Sequence, residues 1–206
     1  MPKYVLTYFN VRARGELSRL ALVYAGADWE DKRLQLQGET WQELKPDSQL
    51  KVLPELSVEG GYRVSESTVI PQYIAEKHDF GGSNAEERGL VCMIVKHLDD
   101  LFVNLGKGHF EKDEAKKAEL IKELGEKHLP NTLENLEQIA QANGKGVLVG
   151  DNITTADLQL HNIAFNLLRW KDTVLDAYPT LKTIYAKVVA VPSIADWLKS
   201  RPESQY

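Results

Sequence analysis

Leu53-Pro54-Glu55-Leu56-Ser57-Val58, then Gly60-Gly61, then Tyr62-Arg63-Val64-Ser65, is the stretch on which the fold turns. It reads as a strand opening at a proline, the one place in a strand where a missing N–H costs little. Gly60-Gly61 is a strong hairpin signal, so the chain returns antiparallel through Tyr62–Ser65. A helix is predicted from Ser67 to His78. Toward the amino terminus, Tyr4-Val5-Leu6-Thr7-Tyr8-Phe9 is a β-rich run. Leu17, Leu20, Ala21 and Tyr24 then recur at helical spacing, and Gly26 stands where a helix ends. Trp29 to Leu36 alternates as a second strand, so strand–helix–strand implies a right-handed crossover and parallel pairing. Residues 37–51 are polar and turn-rich and hold Trp41, Lys45 and Pro46. The order is β-α-β, then β-β-α.

Beyond this unit the grammar changes. Phe80-Gly81-Gly82-Ser83-Asn84 reads as a small linker, and no convincing strand follows it. Leu90, Ile94, His97, Leu98 and Leu101 trace one predicted helix face, with Cys92 expected as a buried small hydrophobe. Leu120, Leu124, His128 and Leu129 suggest another. Helix signals continue through 130–142, 154–170, 180–190 and 193–200, a bundle of five or more helices. Within it, Thr154-Thr155-Ala156-Asp157 is a capping box flanked by Ile153 and Leu158 at staple spacing. The expected class is α/β plus all-α: a domain over 1–80, a linker over 81–84 and a helical domain over 85–206.

Composition narrows the function. With 206 residues, 43% hydrophobic and 27% charged, the chain can bury a substantial core. A net charge of −5 gives no reason to expect a nucleic-acid partner. No apolar run approaches the ~18 residues of a membrane span. The opening Met1-Pro2-Lys3-Tyr4-Val5 reads as strand, not as a signal peptide. One cysteine excludes an intrachain disulfide, and a reducing, cytoplasmic setting is expected. Histidines 78, 97, 109, 128 and 161 show no metal spacing, and no metal is expected.

The β-α-β–β-β-α order with a proline opening its third strand is the thioredoxin-like plan. The chain has no C-x-x-C, so thioredoxin-type redox chemistry is excluded. Tyr4-Val-Leu-Thr-Tyr8-Phe9-Asn10-Val-Arg12-Ala-Arg14-Gly15-Glu16 resembles the opening of sigma-class cytosolic glutathione transferases, including the hematopoietic prostaglandin D synthase branch. The resemblance continues through Trp29-Glu30-Asp31, Trp41, Lys45, Leu53-Pro54, Glu66-Ser67-Thr68-Val69-Ile70 and Tyr73. It returns in Leu98-Asp99-Asp100-Leu101, the Thr154–Asp157 box and Trp197-Leu198-Lys199-Ser200-Arg201-Pro202, covering essentially the whole chain.

The chemistry of glutathione sets what the residues must do. A free thiol has a pKa near ~8.5, and lowering it by ~2 units takes about 2.7 kcal/mol of preference for the anion. A hydrogen bond to a charged group supplies roughly 1.5–3 kcal/mol, so one well-placed hydroxyl donor nearly suffices. Tyr8, at the carboxyl end of the first strand, is that donor, and Arg14 adds positive potential. Without the resemblance, Tyr8 would read as a core tyrosine. Ser67, at a predicted helix start, reads both as an N-cap and as an anion site.

The rest of the site is implied by the resemblance alone. Ser67 binds the γ-glutamyl carboxylate, and Glu66, where the family more commonly has Gln, suits the γ-glutamyl ammonium. Leu53 offers its backbone to the cysteinyl part beside a cis Pro54. Lys51 and Val52 adjoin it, Val52 standing where many members carry a polar residue. Trp41 and Lys45 reach the glycyl carboxylate. Asp100 crosses a homodimer interface toward the neighbour's glutathione, whereas Asp99 and Asp100, two carboxylates alone, make at best a weak cation site. Phe9, Val11, Ala13 and Phe102 border a small hydrophobic electrophile, with much of its pocket in the helical domain. The expected activity is conjugation of the glutathione thiolate to such electrophiles. The alternatives are glutathione-dependent prostaglandin H2 to D2 isomerisation and a non-catalytic crystallin or ligand carrier.

Overall fold

The computed structural model describes residues 3–36 and 40–204. Met1 and Pro2 of the opening segment, and residues 37–39 of the polar stretch, lie outside the described residues. The chain divides into two compact units, Met1–Asp79 with Val189–Tyr206, and Phe80–Val188. The closing segment, read from sequence as part of the helical domain, thus groups with the sheet.

In the first unit the strands are β1 (Tyr4–Phe9), β2 (Trp29–Leu34), β3 (Glu55–Val58) and β4 (Arg63–Ser65), in spatial order β2-β1-β3-β4. β1 runs parallel to β2 and antiparallel to β3, and β3 runs antiparallel to β4. The parallel pair needs a crossover, supplied by α1 (Glu16–Tyr24), which ends at Gly26 with φ 59°. Alternation buries Tyr4, Leu6 and Tyr8 on one face of β1, and α1 packs on α3 (Val69–Lys77). The short helix α2 (Thr40–Leu44) precedes a single turn over Lys45–Asp47.

The second unit is built of helices and the loops that join them, with no strand among its described residues. It contains α4 (Ala85–Phe110), α5 (Glu114–Glu123), a π-type turn over Leu124–His128, α6 (Leu129–Asn143), α7 (Thr155–Trp170) and α8 (Pro179–Val189). α9 (Pro192–Ser200) belongs to the first unit. On α4 the buried stripe is Val91, Ile94, Val95, Leu98 and Leu101. It lies about 50° around the helix from the expected face. Leu90 and His97 are therefore exposed, and so is Cys92, contrary to its expected burial.

The capping box is present as the sequence predicts. Thr154 Oγ1 accepts from the Ala156 N–H at 3.2 Å, and the Thr154 N–H donates to Asp157 Oδ2 at 2.8 Å. The other carboxylate oxygen accepts the Leu148 N–H at 2.8 Å, so Asp157 also pins the preceding loop. Fully buried, it serves two backbone donors that would otherwise be stranded. Asp157→Ala is expected to lower unfolding free energy by about 2–4 kcal/mol, the sum of a lost cap and a stranded buried N–H. Glutathione chemistry should persist; a melting temperature equal to that of wild type would refute the assignment. Glu137 on α6 caps α8 in the same manner, accepting the N–H groups of Thr180 at 3.0 Å and Leu181 at 2.9 Å.

Candidate functional site

The strand pleat turns Tyr8 inward at the end of β1, where α1 begins, leaving the residue 7% exposed. Burial raises the Tyr8 pKa above that of an ordinary phenol. A hydrogen bond from the Arg14 backbone N–H and the charges of Arg19 and Arg14 oppose the rise without cancelling it. Tyr8 is therefore a neutral phenol at neutral pH. Its oxygen accepts from Arg14, and its own proton is available for donation.

Arg14 lies in the one-turn helix Ala13–Gly15 that precedes α1. Its guanidinium donates to Ser67 Oγ at 3.1 Å, bringing together Tyr8, Arg14 and Ser67 from positions 8, 14 and 67. Ser67 is buried and Glu66 exposed. Glu66 has φ 84°, a left-handed conformation that side chains seldom adopt. The Glu66 carbonyl takes the first helical N–H groups, from Val69 at 3.1 Å and Ile70 at 3.0 Å. Ser67 does not occupy the N-cap position as expected. Thr68 stands there without a side-chain cap, because the chain must swing through Glu66 before the helix begins.

The Leu53–Pro54 peptide bond is cis, as the resemblance implies, and Leu53 lies just outside the β3 ladder. Val52 and Lys51 before it are exposed, Lys51 with φ 57°. Trp41 on α2 and Lys45 on the following turn are half-buried in the same unit. Phe9 and Ala13 are half-buried, while Val11 is buried and its carbonyl is taken by Arg19. Asp100 and Phe102 stand on α4, in the other unit. Asp100 is exposed and ion-paired with Lys96, one helical turn away. Among the described residues no group of three or more His, Cys, Asp or Glu is placed to hold a metal ion.

Two charged residues that the sequence reading leaves without a role underpin the site. Arg19 on α1 is fully buried. It donates to the carbonyls of Val11 at 2.7 Å and Phe9 at 3.1 Å, and to Asp31 Oδ1 at 3.1 Å. Its guanidinium carbon lies 5.7 Å from the centre of the Tyr8 ring, within cation–π range. Glu16 is equally buried and accepts from Trp197 Nε1 at 2.9 Å and Arg201 at 2.7 Å. It also faces Arg19 at 3.4 Å. The acidic and basic spacing within α1 is visible in the sequence, but Trp197 on α9 and Arg201 just after it lie 181 and 185 residues away.

Comparison with known proteins gives the same reading over the chain's full length. Residues 4–76 match the model of the glutathione S-transferase N-terminal domain, and residues 99–201 match that of its C-terminal domain. Hematopoietic prostaglandin D synthase of Homo sapiens is 32% identical over 205 residues, with 100% of each chain covered. Glutathione S-transferase P 1 of Xenopus laevis is 35% identical, covering 97% of this chain and 93% of its own. The solved structure of a Nu-class glutathione S-transferase from Haemonchus contortus superposes with a TM-score of 0.89 at 30% identity, each chain covered completely. Two matched domains and full-length relatives above 30% identity place the chain in one family: it belongs to the glutathione S-transferases, enzymes that use glutathione as co-substrate.

Proposed function

We propose that the protein is a sigma-class transferase that conjugates the glutathione thiolate to small hydrophobic electrophiles, with Tyr8 as the thiolate's hydrogen-bond donor. The observation that carries this is the neutral, buried phenol at the end of β1, oriented by the Arg14 N–H while the Arg14 side chain holds Ser67. A phenol that keeps its proton stabilises an adjacent sulfur anion by donating to it. Arg14 adds a positive charge that favours the same anion. Ser67 and Glu66 take the γ-glutamyl carboxylate and ammonium, and the Leu53 backbone beside Pro54 pairs with the cysteinyl part. Trp41 and Lys45, with Lys51 and Val52 nearby, face the glycyl end. Phe9, Val11, Ala13 and Phe102 border the electrophile.

The working form is a homodimer in the cytoplasm with a detoxifying role. Exposed apolar side chains on each unit suit such an assembly: Leu50, Tyr62 and Val69 on the first, Leu90 and Met93 on the second. Asp100 would exchange Lys96 for the partner's glutathione ammonium.

The test is a glutathione-conjugation assay with a chloronitrobenzene. Turnover is expected; binding to immobilised glutathione without turnover would favour a crystallin or ligand carrier instead. The 32% identity with a prostaglandin D synthase supports a second reading, isomerisation of prostaglandin H2 to D2. It is separated from the first by assaying the D2 product directly. The segment Leu101–Lys107 lacks the tryptophan that shapes that enzyme's pocket, which favours conjugation.

A further inference from the structure

Gly15 has no conformational need to be glycine. Its φ of −81° and ψ of −20° are right-handed helical values, open to any residue. What it lacks space for is a side chain. A Cβ there would overlap Tyr8 Cδ1 and sit 2.7 Å from Cγ, closer than real methyl groups come. The ring lies directly on the Gly15 backbone.

The ring also has little freedom to yield. Its backbone is fixed in the central strand, in register with Arg33 of β2. The Arg19 guanidinium lies 5.7 Å from its centre, itself held by the Val11 and Phe9 carbonyls and by Asp31. The Phe9 ring packs edge-on at 5.6 Å. We propose that Gly15 is a positioning residue: its missing side chain seats the Tyr8 ring on the start of α1 and thereby sets where the hydroxyl stands. The inference rests on the reading of Tyr8 as the thiolate's donor. Ala13, two residues earlier, has the reverse mismatch, with φ 30° in the region that suits glycine.

The experiment compares wild type, G15A, Y8F and the double variant Y8F/G15A. In G15A the kcat of conjugation should fall at least about tenfold while the KM for glutathione changes less than about threefold, the split expected when only transition-state stabilisation is lost. The thiolate absorbance of bound glutathione at neutral pH should fall with it. In Y8F/G15A the second change should add almost nothing, because both act through one hydroxyl. A merely structural glycine would lower neither the thiolate signal nor kcat alone, and would add its cost fully in the double variant. Wild-type thiolate and kcat in G15A, beside a loss in Y8F, overturn this proposal and leave the Tyr8 reading standing. Wild-type thiolate in Y8F overturns both. Should G15A not fold, A13G/G15A, which relaxes Ala13, carries the same comparison. If neither folds, the contact serves folding rather than hydroxyl placement, and the proposal falls.

Discussion

Replacing Tyr8 by phenylalanine is expected to slow turnover by about ten- to hundredfold while leaving the KM for glutathione nearly unchanged. The magnitude is that of one hydrogen bond to a charge, roughly 1.5–3 kcal/mol. The split follows from location: the hydroxyl serves the sulfur, and the proposed tripeptide contacts lie elsewhere. The pH dependence carries the sign. A donated hydrogen bond favours the thiolate and depresses the thiol pKa, so its loss returns that pKa toward ~8.5. The acid limb of kcat/KM should therefore move to higher pH in the variant. Equal thiolate absorbance in the two proteins at neutral pH would sink the mechanism.

Glu16→Ala should produce the largest loss of stability. Glu16 is fully buried between Arg19 and Arg201 and accepts the Trp197 indole N–H. Removing it leaves a buried guanidinium at Arg19 with one acidic partner, Asp31, which also serves Arg33. Breaking a buried pair from one side costs about 3–5 kcal/mol, roughly 6–20 °C in melting temperature for a chain of this size. Glu16→Gln, which keeps the shape and one acceptor, should fall between. Denaturant unfolding provides the measurement, and a loss under about 1 kcal/mol in the alanine variant would show that the cluster contributes little.

Much of the fold could be read from the sequence because its signals are local. The proline opening β3, the Gly60-Gly61 turn and the Thr154–Asp157 box each depend on neighbours a few residues apart. Tyr8, Arg14 and Ser67 could be named from residue type and resemblance, though not the bond that joins Arg14 to Ser67. Gly15 stood in the quoted motif without a role, since its meaning is a collision with a ring that only the fold brings there. Glu16 and Arg19 look like an ordinary helical acid–base pair until burial is known. On α4 the pattern left the stripe uncertain by half a residue step, enough to expose Leu90 and His97, whereas Cys92 lies away from both faces and its expected burial came from residue type, not from the pattern. The register of a helix is set by what packs on both its edges, and a single sequence shows neither.

The stitching of residues 197–204 onto the first unit has a consequence for biosynthesis. Trp197 and Arg201 complete the surroundings of Glu16, and Ser204 Oγ accepts the Arg12 N–H at 3.3 Å, so the loop that carries Arg14 is finished by a residue 192 positions further along. On the ribosome the sheet emerges first, yet these contacts wait until the residues from Trp197 onward have been made. A nascent chain that stopped short of Trp197 would carry every site residue proposed here while Glu16 and Arg12 still awaited those partners.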